Sequence, residues 1–215
     1  MRWLFLFMGI LGRKDAFPGA DGSTIGSTLQ TMLIYDSNNT PLTDGSTGVK
    51  LVDITTEDVL NENIAQVYAH KNPLTFIYNV DNLGDWYTNN FSFQDNMLWG
   101  DKDKKSVFDP CPAGWQVPTD SEKTFGDFST TTMTLSGWGM NVSNGRTYSN
   151  TSWFPATGYR NRTSGTLYSV GSNGYYWSVS VSGTNAKYMY FSMSEVIPTR
   201  TNGRGYGFSV RCIQE

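Results

Sequence analysis

The chain has 215 residues with a formal net charge of −3, of which only 16% are charged and 14% aromatic. Gly, Ser, Thr, Asn and Tyr are abundant while long charged helix formers are few, which predicts a loop-rich protein of the mainly β or α+β class. No block of like charge marks a segment that binds nucleic acid, so that partner is not expected.

The N-terminus carries a nine-residue apolar run, residues 3–11, behind a single basic residue. It is too short to span a membrane. Its length fits the apolar region of a signal peptide, but no A-x-A-like cleavage site follows. The alternative is a buried strand. Residues 17–50 are polar and turn-rich, and we expect a long surface loop there with one short strand at residues 32–35.

The pattern predicts two helices. Residues 55–70 place apolar side chains at helical spacing and begin with an acidic turn, and Asn72-Pro73 ends the run. Residues 74–78 read as a strand. Thr119 and Glu122 form a capping box that predicts a second helix to about Phe128. From Thr130 onward we expect short β segments between Gly and Asn turns. No repeat or linker interrupts the chain, so residues 1–215 are interpreted as one domain.

Catalytic and metal-binding patterns are not found in the sequence. His70 is the single histidine, at the predicted end of the first helix, where a basic group suits the helix dipole. There is no GxSxG, HExxH, P-loop or dinucleotide-binding motif. Asp101 and Asp103 alternate with lysines in a loop that lacks the ligand run of an EF-hand. We therefore expect no enzyme activity, no cofactor and no metal.

The two cysteines, Cys111 and Cys212, have neither the spacing nor the histidine neighbours of a zinc site. A single disulfide is the favoured interpretation. It would close a loop of roughly 100 residues, contribute about 4 kcal/mol and imply an oxidising compartment. Two buried free thiols are the alternative.

The segment 153–215 is rich in tyrosine, with seven of the twelve in the chain. Tyr mixed with Ser, Asn and Gly is typical of binding loops, because Tyr offers a large contact area with little rotamer entropy to lose. The alternative is that these are ordinary half-buried strand residues. We favour that alternative for Tyr159 and Tyr176, and exposure for the other five. Residues 156–215 carry six basic and two acidic residues, which indicates a solvated surface or a mildly basic face that meets a partner.

Five motifs in combination resemble one family. They are LGRKDAFPG (residues 11–19), DPCPAGW (109–115) followed by VPT, FPATGYRN (154–161), GSNGYYWS (171–178) and GFSVRCIQE (207–215). Together they resemble the FISUMP-type, or major paralogous, domain of gut bacteria and their phages. That domain is carried by some fimbrillin-like surface proteins and by the variable proteins of diversity-generating retroelements. The resemblance makes residues 1–11 look like the domain's first strand, and the chain like a fragment of a longer protein.

The resemblance implies a C-type lectin-like fold of the α+β class, with two short helices, small antiparallel sheets and much irregular loop. It also implies that Cys111 and Cys212 are the bonded ends of that fold. The sequence lacks the EPN, QPD and WND triplets of calcium-dependent lectins, so calcium-dependent sugar binding is not expected.

In the retroelement relatives, error-prone copying at adenines varies chosen codons. The resemblance implies a variable, ligand-binding region at residues 156–211. Fixed residues such as Trp177, Ala186 and Phe191 would alternate inward and varied ones outward. The expected ligand-binding positions are Tyr168, Tyr175, Val179, Val181, Thr184, Tyr188, Tyr190, Ser192, Thr199, Arg200, Thr201, Asn202 and Tyr206.

The sequence thus predicts a ligand-binding surface protein that is extracellular or displayed on a cell, or alternatively carried on a phage particle. Its partner would be a protein or glycan on another cell, without direct insertion into a membrane. A non-diversified fimbrial or adhesive domain is the alternative. The formylglycine-generating enzymes to which this fold class also extends depend on cysteine, and a disulfide would occupy both cysteines here.

Overall fold

The computed structural model describes residues 7–19, 35–41, 49–81, 84–101, 104–120, 127–139 and 142–215. Within these residues the regular structure is mostly β. One short α-helix, α1, spans Gln66–Lys71, and one 3-10 turn spans Phe91–Phe93. The strands β1 to β15 are Phe7–Gly9, Phe17–Pro18, Lys50–Asp53, Thr75–Tyr78, Trp115–Gln116, Met133–Ser136, Gly145–Tyr148, Ser152–Pro155, Tyr159–Arg160, Leu167–Tyr168, Gly174–Ser182, Asn185–Phe191, Val196–Asn202, Phe208–Ser209 and Ile213–Gln214.

A six-stranded sheet with the order β13-β12-β11-β14-β1-β2 organises the molecule. The long strands β11, β12 and β13 form an antiparallel meander. Strand β14 lies parallel to β11 and antiparallel to β1, with Met8 opposite Ser209. The N-terminal strand therefore completes a sheet built mainly from the C-terminal segment. The prediction of a strand in the apolar N-terminal run is confirmed over Phe7–Gly9.

Smaller sheets surround the central one. Strands β6, β7 and β8 form an antiparallel sheet, and β3 pairs in parallel with β4. Strand β9 pairs with β10, and β5 with β15. The predicted strand at residues 74–78 is confirmed as β4. The β segments expected after residue 130 are confirmed as β6 to β15, but β11, β12 and β13, with 9, 7 and 7 residues, are longer than the expected short segments.

Apolar side chains cover both faces of the central sheet. Along β12, Tyr188 and Tyr190 pack into one cluster with Trp177, whereas Met189 and Phe191 pack into another. A third cluster fills the space between α1 and strands β3 and β4. The alternation follows from the two-residue period of a strand.

The prediction of an α+β, C-type lectin-like fold with two helices is wrong: the described chain is mostly β, with the single helix α1. The first predicted helix, residues 55–70, forms only at its end. Asp58, Glu62 and Asn63 have φ of 67°, 49° and 77°, which is left-handed backbone that Asn and Asp tolerate better than most residues. An antiparallel bridge between Asn61 and Ile64 replaces the helical turn. The apolar residues of this segment therefore pack against the core from an irregular backbone and not from a helix.

The second predicted helix falls largely on residues 121–126, outside the described residues. Its flanks, Thr119 and Phe128, are not helical. The strand expected at residues 32–35 is also outside the described residues except for Tyr35, which forms an isolated bridge with Pro41.

The disulfide between Cys111 and Cys212 is confirmed, and no described cysteine is free. It lies beside the β5–β15 pair, where Gln116 is opposite Ile213. Asp109 braces the same corner, because its carboxylate accepts hydrogen bonds from the backbone N–H of Cys111 at 2.7 Å and of Val117 at 3.0 Å. The end of the chain is thereby fixed to the middle of the sequence.

Candidate ligand-binding surface

Six tyrosine rings are linked by mutual contacts beside the central sheet, and four of them also contact Phe208. We call them the tyrosine cluster: Tyr159, Tyr168, Tyr175, Tyr188, Tyr190 and Tyr206. Tyr159 contacts Tyr168, Tyr175 and Tyr206 with ring centroids 5.7, 5.0 and 5.6 Å apart. Tyr175 contacts Tyr188 at 5.9 Å and Tyr190 at 5.3 Å. These separations are those of favourable aromatic pairs, so the rings form one continuous cluster.

Strand pairing brings these rings together from distant parts of the sequence. Tyr175 lies directly opposite Tyr190 in the β11–β12 ladder, and residues opposite each other point to the same face of a sheet. Tyr159 and Tyr168 are paired in the same way in β9 and β10. A bridge between Arg160 and Gly207 then places the β9–β10 pair beside the central sheet.

The burial of the cluster differs from ring to ring. Tyr168 is 48% exposed, and Tyr159, Tyr175 and Tyr206 are half-buried. The expectation of exposure is wrong for Tyr188 and Tyr190, which are only 4% and 8% exposed. Other residues cover the rings of Tyr188 and Tyr190, so these two rings pack beneath the exposed part of the cluster.

The expected alternation of inward fixed and outward varied residues is also wrong for this face. Trp177 and Ala186, expected to be fixed and inward, pack in the same cluster as Tyr188 and Val179. Val179 is itself only 6% exposed. Because both faces of the central sheet are covered, an alternating pattern does not separate core from surface here.

The hydroxyl groups give the cluster its polar character. Asn173 Nδ2 donates a hydrogen bond of 2.7 Å to the Tyr190 hydroxyl. Burial, with neighbouring tyrosines, raises the pKa values of Tyr159 and Tyr175 above the ordinary tyrosine value. The hydroxyls of Tyr159 and Tyr175 are therefore neutral at physiological pH and able both to donate and to accept.

An exposed rim of strand β13 borders the cluster. Thr199, Arg200 and Thr201 are exposed and Asn202 is half-buried. The guanidinium carbon of Arg200 lies 4.7 Å from the centre of the Tyr190 ring, a cation–π contact that leaves its donors available. Arg200 is paired with Tyr188 and shares its side of the sheet, whereas Thr201 is paired with Lys187 and Thr199 Oγ1 donates to the carbonyl of Asp120. Tyr168, the half-buried rings and Arg200 therefore form a surface that combines aromatic area, hydroxyls and one cation.

Three expected positions lie apart from the cluster centre. Thr184 is exposed in the turn between β11 and β12, and Val181 is half-buried near the same end. Ser192 is placed after β12, where its hydroxyl accepts from the backbone N–H groups of Ser194 and Glu195, and its carbonyl accepts from Arg146. Ser192 therefore stabilises a turn on the side of strand β7.

Tyr159 is a half-buried strand residue, as expected, and it also contacts three other rings of the cluster. Arg162 was not predicted at this site. Its guanidinium carbon lies 5.9 Å from the Tyr206 ring, and its Nη1 donates to the carbonyls of Asn79 and Asp81. No local pattern predicts these contacts, because they depend on how the β9–β10 pair docks on the central sheet.

No group of three or more His, Cys, Asp or Glu that could hold a metal ion occurs among the described residues. In the same part of the chain, no helix has the length and apolar character needed to cross a membrane. Comparison with protein families finds one model, described as a domain of unknown function (DUF8237), that matches residues 129–213. The matched segment contains every residue of the tyrosine cluster. No curated protein and no solved structure matches the chain.

Proposed function

We propose that the chain is a ligand-binding surface protein whose ligand contacts the tyrosine cluster and the exposed rim of β13. The observation that carries the proposal is the placement of Tyr168 and Arg200, both exposed, on one continuous set of tyrosine rings. Tyr and Arg are, with Trp, the residues enriched among those that dominate binding at protein interfaces. This composition favours a protein partner on another cell, with a glycan as the other ligand class that tyrosine hydroxyls suit.

Binding, and not catalysis, is the function that we propose. The disulfide between Cys111 and Cys212 supports this choice, because it occupies both thiols on which a cysteine-dependent enzyme would rely. The same bond supports an extracellular or cell-surface location, since disulfides persist in oxidising compartments.

We further propose kinship with the FISUMP-type domains and diversification by a retroelement. Among the expected variable positions, Tyr168, Thr184, Thr199, Arg200 and Thr201 are exposed. Substitution at such sites changes stability little, as a diversified surface requires. The genomic locus tests this part of the proposal. A neighbouring reverse transcriptase gene and a near-copy repeat that differs at adenines are expected; the absence of both overturns diversification and leaves a non-diversified adhesin.

The binding part of the proposal is tested with the purified chain on arrays of glycans and of cell-surface proteins. We expect saturable binding to at least one arrayed protein. Binding to glycans alone would replace the protein partner by a sugar at the same surface. An absence of saturable binding on both arrays contradicts the proposed function.

A further inference from the structure

A pocket of about 180 Å³ lies away from the tyrosine cluster, between the segment that follows β1 and helix α1. Residues 12–15 form one wall and Gln66, Ala69 and His70 form another. Trp86 and Phe108 close the sides. No residue of the tyrosine cluster lines this pocket, so any ligand bound there is independent of the function proposed above.

Arg13 is the buried charge of this pocket, with only 3% of its surface exposed. Its Nη1 donates to the carbonyl of Thr75 at 2.7 Å, and its Nη2 donates to the carboxylate of Asp15. The guanidinium lies 5.0 Å from the Phe17 ring centre and 5.2 Å from that of Trp86. Aromatic rings and two acceptors thus hold its position.

One donor of Arg13 has no partner. Among the described residues, its Nε is the single buried side-chain polar atom without a hydrogen bond. Leaving a buried donor unpaired is unfavourable, and more so when the group is charged. Arg13 also lines the pocket, so an anion bound there would lie beside a guanidinium that has an unpaired donor.

The polar side chains around the pocket favour an anion. Lys14 and His70 are exposed lining residues that can donate to a ligand, and Gln66 offers an amide. The one acidic lining residue, Asp15, already accepts from Arg13. The lining therefore carries an excess of positive charge from Lys14, and its donors outnumber its free acceptors.

The remaining lining is apolar and partly aromatic. Trp86, Phe108, Ala69, Pro73 and Val107 contribute it. A cavity of about 150 Å³ lined by apolar groups holds one benzene molecule, so a single ring fits the volume found here. We propose that this pocket binds a small aromatic carboxylate, with the ring against Trp86 and Phe108 and the carboxylate toward Arg13 and Lys14.

Site-resolved NMR titration with sodium benzoate tests the assignment. We expect saturable shifts of the backbone amides of residues 12–15 and of the His70 ring, with no comparable shift at Tyr168. Benzyl alcohol, which has the ring without the charge, should bind at least about threefold more weakly. The proposal is overturned if the shifts do not saturate, if they centre on the tyrosine cluster, or if benzyl alcohol binds as well as benzoate.

Two matched lysine variants separate a local role from a general effect of charge. Lys14→Gln should lower benzoate affinity by about threefold, the size expected for one exposed ion pair. Lys71→Gln makes the same charge change at the exposed end of α1, outside the pocket lining, and should leave the affinity unchanged. Equal losses in the two variants would contradict a site at Lys14. Because both lysines are exposed, both variants are expected to fold.

Discussion

Cys111 and Cys212 are bonded across 101 positions of sequence, and the bond joins the corner that leads into β5 to the last strand. Replacing both by Ser should lower the free energy of unfolding by about 4 kcal/mol, because a long closed loop restricts the unfolded chain. Urea denaturation of the variant and of the parent chain measures the difference. Reaction of two thiols in denaturant without reductant would contradict the bond itself.

Substitution of Arg204 should lower the free energy of unfolding far more than substitution of the nearby Arg200. The buried guanidinium of Arg204 donates to the carbonyls of Gly183, Thr184 and Asp95, at 3.0 to 3.1 Å. Lys cannot reproduce this fork, so Arg204→Lys should lower the free energy of unfolding by about 3 kcal/mol. The exposed control Arg200→Lys should change it by less than about 0.5 kcal/mol. Equal urea midpoints for the two variants would contradict the assigned contacts.

Asp85 and Asp53 should give the protein pH dependences of opposite sign. Burial raises the pKa of Asp85 above its ordinary value, although Tyr87 and Gln94 donate to its carboxylate. Its contribution to stability is therefore present below about pH 3.9 and is lost as the pH rises through the raised pKa. The difference in free energy of unfolding between the parent chain and Asp85→Asn should fall with rising pH in that window.

For Asp53 the sign is reversed. Hydrogen bonds from the backbone N–H and the hydroxyl of Thr55 lower the pKa of Asp53. Its contribution is present above about pH 3.9 and is lost as the pH falls through the lowered pKa. Denaturation of Asp53→Asn over an acid pH series should show the opposite slope to Asp85→Asn. Slopes of the same sign would contradict one of the two assignments.

Among the positions expected to vary, substitution of buried residues should lower the free energy of unfolding, and substitution of exposed residues should leave it nearly unchanged. Tyr188→Ser removes a buried ring that contacts Phe208 at 4.7 Å, and should lower the free energy of unfolding by about 3 kcal/mol. Thr199→Tyr, on the exposed rim, should change it by less than about 0.5 kcal/mol. Urea midpoints measure both. Similar losses in the two variants would mean that the rim is not a surface open to diversification.

The sequence alone predicted the disulfide, strand β4 and the short strands of the C-terminal half. Each of these rests on a local or strongly constrained signal, such as two cysteines without metal-site spacing. The prediction of a long first helix was wrong. An irregular segment with left-handed backbone at Asp58, Glu62 and Asn63 can bury the apolar residues of 55–70 as well as a helix can. Tertiary packing, which periodicity does not record, decided between them.

The sequence indicated which residue types form the candidate surface, but not how deeply each side chain is buried. Exposure was expected for Tyr188 and Tyr190, yet both are buried. Tyr175 contacts both rings, Phe208 contacts Tyr188, and Arg200 contacts Tyr190. Arg13 shows the same limit. Its guanidinium is held by the carbonyl of Thr75, 62 positions away, and no pattern of neighbouring residues predicts that contact. Long-range pairing of this kind sets both sites.

The central claim, that a partner binds the tyrosine cluster and the β13 rim, is tested most directly by affinity measurements on three variants. Once a partner is captured from the arrays, Tyr168→Ser and Arg200→Ser should each weaken it by about tenfold, as exposed anchors of an interface do. Tyr35→Ser is the control, because Tyr35 is also 48% exposed but lies outside the cluster, and it should bind like the parent chain. Unchanged affinity in the first two variants, or an equal loss in all three, would contradict the claim.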